Sequence, residues 1–317
     1  MKAIRLHEFG GTENLVIEEI ETPVPKPGEI LIKTAAAGIN YADTMMREGN
    51  YLTKPELPVT LGYEAAGTVE AVGEGVEGFS VGQRVLATTY SGGYAEYAVA
   101  NAKMVLHIPD ELGFGEATAL LVQGLTALGL LEGAKSGDSI LIHAAAGGVG
   151  TLLVQLAKYR GLKVLGTASN EEKLQLVVDL GADAAINYSE SDWHEEVLNA
   201  TEGEGVDWII EMVGGEIVAK NLKVLAKNGT MIVYGSASGE DFKISVLNLM
   251  YKNHAVRGYW LQNESIENRI KFTRELLGHL EAERLEIKIT EFPFEQVKQA
   301  HEAIEGRKTT GKVYLSF

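Results

Sequence analysis

The chemistry most legible in this 317-residue chain lies in Ile140-Leu141-Ile142-His143-Ala144-Ala145-Ala146-Gly147-Gly148-Val149-Gly150. An apolar run passes through a turn of Ala and Gly directly into a helical pattern. The dinucleotide fingerprint GxGxxG falls here on Ala145, Gly147 and Gly150. Gly147 lets the backbone approach a diphosphate, and Gly150 allows close helix–strand packing. The helix that starts at Val149 has free N–H groups and a positive dipole end that suit phosphate. Ala145 in place of the first glycine makes the turn less tight. An ordinary βαβ turn is the competing reading. The preceding strand, the following helix and the repeated βα units favour nucleotide binding.

The next strand end selects the dinucleotide. An NAD site places Asp or Glu about 20 residues after the turn, on the ribose 2′-OH. Here the strand ends in Ala168-Ser169-Asn170, with no acid at the tip. Ser169 leaves room for a 2′-phosphate, Lys173 supplies charge one helical turn on, and Tyr188 ends the next strand nearby. Glu171 and Glu172 fit the first helical turn, pointing outward. The expectation is NADPH rather than NADH. Val213-Gly214-Gly215 and Tyr234-Gly235-Ser236 follow later strands at the same edge, and Gly235 and Ser236 join the cofactor candidates.

These groups need a sheet to hold them. From about residue 135 strands at 139–144, 163–168, 184–188, 206–212, 230–234 and 255–260 alternate with helices at 149–159, 171–180, 192–200 and 216–225. That alternation predicts an α/β fold with a doubly wound parallel sheet. The first third reads differently. Short strands at 2–6, 16–20 and 30–35 are broken by Pro23, Pro25 and Pro27-Gly28. Gly62, Gly67, Gly73, Gly75, Gly78 and Gly82 then recur among valines, which suits a compact β-barrel. Residues 110–121 and 123–131 look helical. A tail follows, with helices at 264–280 and 295–305, an extended segment at 287–294 and a closing strand at 312–317. It is too short for its own core and is expected to pack back on the barrel. The expected domains are 1–122 with 265–317, and 123–264.

Composition removes several classes. Cysteine is absent, so there is no disulfide framework, Cys-ligated zinc, iron–sulfur cluster or cysteine nucleophile. With 28 Lys+Arg against 44 Asp+Glu the formal charge is −16, which repels nucleic acid at long range. The start Met1-Lys2-Ala3-Ile4-Arg5 shows no signal-peptide stretch, and no run reaches the roughly 18 apolar residues of a membrane span. The expectation is a soluble cytoplasmic protein without nucleic-acid or membrane partners.

Five stretches resemble one family. Gly62-Tyr63-Glu64-Ala65-Ala66-Gly67-Thr68-Val69, continuing through Gly73 to Gly82-Gln83-Arg84-Val85, is similar to the GHExxGxVxxxGxxVxxGDxV signature of medium-chain alcohol dehydrogenases. The Ala-Ala-Ala-Gly-Gly-Val-Gly turn resembles the zinc-free, zeta-crystallin-like quinone oxidoreductases of that superfamily. So do Gly38-Ile39-Asn40-Tyr41-Ala42-Asp43-Thr44, Ser91-Gly92-Gly93-Tyr94-Ala95-Glu96-Tyr97 and Gly311-Lys312-Val313. The matches run collinearly over essentially the whole chain. The superfamily's zinc-binding His falls on Tyr63 and its first Cys ligand on Asn40, and the four-cysteine lobe is missing. Tyr63 also departs from this branch, where Ser or Thr is common.

The resemblance implies a GroES-like β-barrel catalytic domain, a Rossmann domain and an active site in the cleft between them. It implies NADPH at Ala145, Gly147, Gly148, Val149 and Gly150, with Ser169, Lys173 and Tyr188 around the adenosine phosphate. It places Gln123 and Thr126 near the nicotinamide, brings Arg307 to the cofactor or cleft, and suggests a homodimer joined through residues 255–260. No metal site is expected. Without a Lewis acid, the chemistry left is hydride transfer to an electron-poor acceptor, a quinone or, alternatively, an enone or 2-alkenal. Asn40 is a neutral donor; Tyr51 and Tyr63 are donors or aromatic walls. Each has a plainer alternative: a bond to loop backbone for Asn40, and packing for the tyrosines. Asp43 reads as a loop brace and His143 as a satisfied core histidine. A non-catalytic dinucleotide-binding or RNA-binding protein is the lower alternative.

Overall fold

A computed structural model describes residues 1–89 and 92–317. The chain divides into two compact units, Met1–Val122 with Lys288–Phe317, and Gln123–Ile287. Ser91, in the quoted 91–97 motif, lies outside the described residues.

The first unit is mainly β. Its strands are β1 (Lys2–Leu6), β2 (Leu15–Glu19), β3 (Glu29–Ile39), β4 (Val59–Thr60), β5 (Glu64–Val72), β6 (Arg84–Thr88), β7 (Tyr97–Asn101) and β8 (Val105–His107). The second unit contributes β9 (Ser139–Ile142), β10 (Lys163–Ala168), β11 (Ala184–Asn187), β12 (Val206–Glu211), β13 (Leu225–Val233) and β14 (Ala255–Gly258). The chain then returns with β15 (Ile289–Pro293) and β16 (Lys312–Ser316).

In the first unit, among the described residues, one sheet runs β15-β16-β3-β5-β6-β8 with β7 also on β3, and a second runs β2-β1-β4. Ile30, Ile32, Val69, Val85 and Ala100 make one core. Ile4, Leu6, Ile39, Leu61 and Tyr94 make another, which Phe294, Val297, Val313 and Leu315 complete from the far end of the chain. Burial of these returning apolar side chains, about 1.5–3 kcal/mol each when complete, is what anchors the tail.

In the second unit the sheet order is β11-β10-β9-β12-β13-β14, with every pair parallel. The order reverses at β9, so the carboxyl ends of β9 and β12 flank the switch point where ligands bind in such sheets. Leu141, Leu165, Ile209 and Met231 fill the core, with Trp193 buried among them.

Two expectations change. Helix Ile266–Glu281 belongs to the second unit, so the return falls at Lys288 rather than 265. The helix buries Phe272 and Leu276 and packs against helix Leu125–Leu130. Arg160 to Glu275 (3.0 Å) and Lys271 to Glu132 (3.1 Å) flank that seam. Residues 110–121 are not one helix either. Gly113 and Gly115 leave only the turn Phe114–Ala117, followed by a π-helical turn Leu120–Gly124. Within the described residues, no helix is long and apolar enough to cross a membrane.

Candidate active site

Strand β9 delivers the chain into the 144–147 turn, and helix Gly148–Tyr159 starts there. Gly147 is the N-cap, in extended conformation, and no side chain caps the helix. A Cβ on Gly150 would lie 2.6 Å from the Ala145 carbonyl oxygen and closer still to that of Ala144, so helix and turn meet backbone to backbone. A Cβ on Gly148 would strike the Gln123 amide. Gln123 is buried, and its Oε1 has no hydrogen-bond partner among the described residues. An uncapped helix start, a glycine cradle and an orphaned amide oxygen beside it fit a dinucleotide diphosphate. Thr126 is buried one turn further along.

At the end of β10, Asn170 caps helix Glu171–Asp179 by accepting the Lys173 N–H at 3.0 Å. Ser169, Lys173 and Tyr188 are half-buried there, and Glu171 and Glu172 are exposed. The Tyr188 N–H donates to the Ala168 carbonyl at 3.1 Å, and Ser189 Oγ to that of Ser169 at 3.4 Å, so the two strand tips are stitched together. Gly235 and Ser236 follow β13 and are half-buried.

The first unit holds the other candidates. Asn40 follows β3 as the N-cap of helix Tyr41–Glu48, and its side chain is buried. Its Nδ2 donates to Glu64 Oε2 (3.0 Å), and its Oδ1 accepts from Lys312 Nζ (2.9 Å). Lys312 also donates to Glu64 Oε2 at 2.6 Å, and both charged side chains are fully buried. Glu64 Oε1 accepts the Val122 N–H at 2.7 Å, from within the π turn. The two partners leave only one orientation for the Asn40 amide. Its second Nδ2 hydrogen remains for another acceptor.

Tyr51 and Tyr63 pack against the same apolar cluster as Met46 and Leu61. Tyr63 also lines a cavity of about 130 Å³ with Met46, Lys54, Val59 and Leu61. Beneath Asn40, Asp43 Oδ2 accepts the Asn40 N–H (2.8 Å) and the Tyr94 hydroxyl (3.1 Å). Burial raises the Asp43 carboxyl to about 6. Burial, with Arg47 adding to it, lowers His301 to about 3. Arg307 is exposed, at φ +54°, in the turn after helix Val297–Glu305, and its charge acts on Tyr41.

In the sequence Glu64 and Lys312 stand only as parts of motifs. One signal is available: Glu64 leads directly into Ala65-Ala66 and Lys312 into Val313, and a charge at the start of a buried stretch demands a partner. His143 is fully buried and hydrogen-bonded, as a core histidine should be.

A doubly wound sheet with an uncapped glycine turn at its switch point, joined to a β unit built around β3 and β5, defines a two-domain dinucleotide-dependent oxidoreductase. Family models agree. The alcohol dehydrogenase GroES-like domain matches residues 26–110, and the zinc-binding dehydrogenase model matches 148–275. The human quinone oxidoreductase is 37% identical, covering 99% of this chain and 97% of that protein. A Burkholderia 2-haloacrylate reductase is 34% identical, with 98% and 97% covered. The structure of the Escherichia coli quinone oxidoreductase complexed with NADPH superposes with a TM-score of 0.94 at 32% identity, covering all of both chains. The chain belongs to the quinone oxidoreductase family of medium-chain dehydrogenases/reductases.

Proposed function

We propose that this chain is an NADPH-dependent quinone oxidoreductase that works without zinc. The observation that carries the reading is the uncapped Gly147–Gly150 helix start at the switch point of β9, in a chain alike over its whole length to a quinone oxidoreductase solved with NADPH. NADPH bound there supplies the hydride that, with a proton, converts quinone to quinol. The N–H groups of Gly148, Val149 and Gly150 hold the diphosphate. Ser169, Lys173 and Tyr188 surround the 2′-phosphate, Gly235, Ser236 and Arg307 line the cofactor, and Gln123 and Thr126 lie toward the nicotinamide. Asn40, its amide fixed by Glu64 and Lys312, presents its remaining N–H to the developing quinol oxygen. Tyr51 and Tyr63 flank the flat ring.

Zinc independence is supported by the donor set. Among the described residues, no group of three or more His, Cys, Asp or Glu is arranged to hold a metal. Two of the superfamily's zinc-ligand positions carry Asn40 and Tyr63. A homodimer in the cytoplasm completes the reading. Its support is β14, an outer strand with one open edge, next to helix Val246–Lys252 with Val246, Leu247, Met250 and Tyr251 exposed. Light scattering near twice 34.2 kDa is the expected result.

A second reading, reduction of activated C=C bonds, is favoured by the similarity to the 2-haloacrylate reductase. Steady-state NADPH oxidation with 9,10-phenanthrenequinone and with 1-octen-3-one separates the two. Faster turnover of the quinone supports the first reading, and no turnover of either acceptor refutes both.

A further inference from the structure

A second buried polar network lies beneath the cofactor turns. Glu211 ends β12 and is fully buried. Its Oε1 accepts the N–H groups of Val213 (2.5 Å) and Gly214 (2.8 Å), and its Oε2 accepts Asn221 Nδ2–H (2.5 Å). It is an acceptor throughout, the pattern of a carboxylate in a nest of N–H donors. Asn221, on helix Glu216–Val224, commits its Nδ2 to Glu211, so its Oδ1 accepts from His143 Nε2 at 2.7 Å. His143 Nδ1 lies 3.0 Å from Thr167 Oγ1, at the end of β10.

The network reaches every turn at the carboxyl edge that faces the switch point. His143 immediately precedes the Ala144–Gly147 turn, whose Ala145 N–H donates to the Thr167 carbonyl at 3.0 Å. Glu211 holds the N–H side of the two peptides after Met212 and Val213. Their carbonyls accept from Ala237 and Ser238, each at 2.8 Å, in the loop that carries Gly235 and Ser236. Four strand ends are thus tied through three side chains, all fully buried and on three different elements.

We propose that His143, Asn221 and Glu211 are positioning residues that fix the relative placement of the dinucleotide-binding turns. None need touch the cofactor; they act through the Ala144–Gly147 turn, the Val213-Gly214 peptides and the 235–238 loop. The inference rests on the NADPH reading above.

The test exploits bond polarity. Asn221→Asp sets a second carboxylate against Glu211, and no flip of the new side chain supplies the missing donor. Adding Glu211→Gln swaps the roles. The new amide's oxygen accepts the two backbone N–H groups, and its nitrogen donates to the carboxylate now at position 221. The other oxygen of that carboxylate accepts from His143. Glu211→Gln alone is expected to be milder, since Asn221 can turn its amide over and His143 change tautomer.

At pH 8, NADPH affinity read by fluorescence, alongside melting temperature and kcat at saturating NADPH, should show N221D binding at least tenfold more weakly. Its kcat should change less than threefold, and E211Q/N221D should return within threefold of wild type in affinity. A folded N221D with wild-type affinity, whatever its melting temperature, overturns the proposal, as does a folded double variant that stays tenfold weak. Should N221D not fold, His143→Phe deletes the bond to Asn221 while keeping the edge-on packing against Trp193. A tenfold loss there supports the link, and unchanged affinity overturns it. Wild-type protein that binds no NADPH refutes the underlying reading together with the inference; wild-type binding with unaltered variants refutes the inference alone.

Discussion

Lys312 Nζ lies 2.6 Å from Glu64 Oε2, with both side chains fully out of water, although 248 residues separate them. β16 brings the lysine from the end of the chain to β5 by pairing with the intervening β3. Removing two charges from water costs several kcal/mol each, and the pair stands only because Asn40 and the Val122 N–H satisfy the remaining atoms.

Breaking that pair on one side leaves the other charge stranded. Lys312→Met should destabilise the first unit by about 3–5 kcal/mol, read as the shift in its urea transition. Glu64→Gln added to it should recover part of the loss. The single variant should also lower kcat, because Asn40 loses one of the two partners that orient its amide.

The turn proposed to hold the diphosphate offers a graded series. Gly150→Ala drives a methyl into the carbonyls of Ala144 and Ala145, neither of which can swing away. A loss of about 1–3 kcal/mol in stability is expected, with NADPH affinity falling at least tenfold. Gly147→Ala meets only the Ala144 carbonyl, at 3.2 Å, and should be the milder of the two by both measures.

Cofactor choice should follow charge at the β10 tip. Lys173→Ala should weaken NADPH about tenfold, the effect of roughly 1.4 kcal/mol, and leave NADH nearly unchanged. Ser169→Asp should move preference toward NADH. Equal losses for both nucleotides would place the 2′-phosphate elsewhere.

Two buried groups in the first unit pull stability in opposite directions with pH. Asp43 rises from 3.8 in the unfolded chain to about 6, so its contribution is full below pH 4 and is lost as pH climbs through 6. His301 falls from 6.5 to about 3, so its contribution is full above pH 6.5 and is lost as pH drops toward 3. Each is on the order of a few kcal/mol. Asp43→Asn should therefore make the protein lose stability more steeply on acidification from pH 6 to 4. His301→Gln should do the reverse. Thermal melts across that range check both signs.

What is local is legible in the order of residues. An apolar strand, a glycine turn and a helix start are contiguous, so the strand–turn–helix unit at 139–159 is legible directly. The βα alternation was legible for the same reason, since side-chain period follows each element's own geometry. Which distant groups share a buried space depends on how strands and helices dock. The amphipathic pattern at 264–280 announces an apolar face, but only packing on helix Leu125–Leu130 assigns it to the second unit. Asn40 was visible as a donor, yet its orientation depends on Glu64 and Lys312, and Glu211 finds Asn221 and His143 only once β12, β9 and the intervening helix are docked. Buried polar groups must be paired, but the chain does not announce which partner, because that choice is made by strands and helices that meet only in the folded molecule.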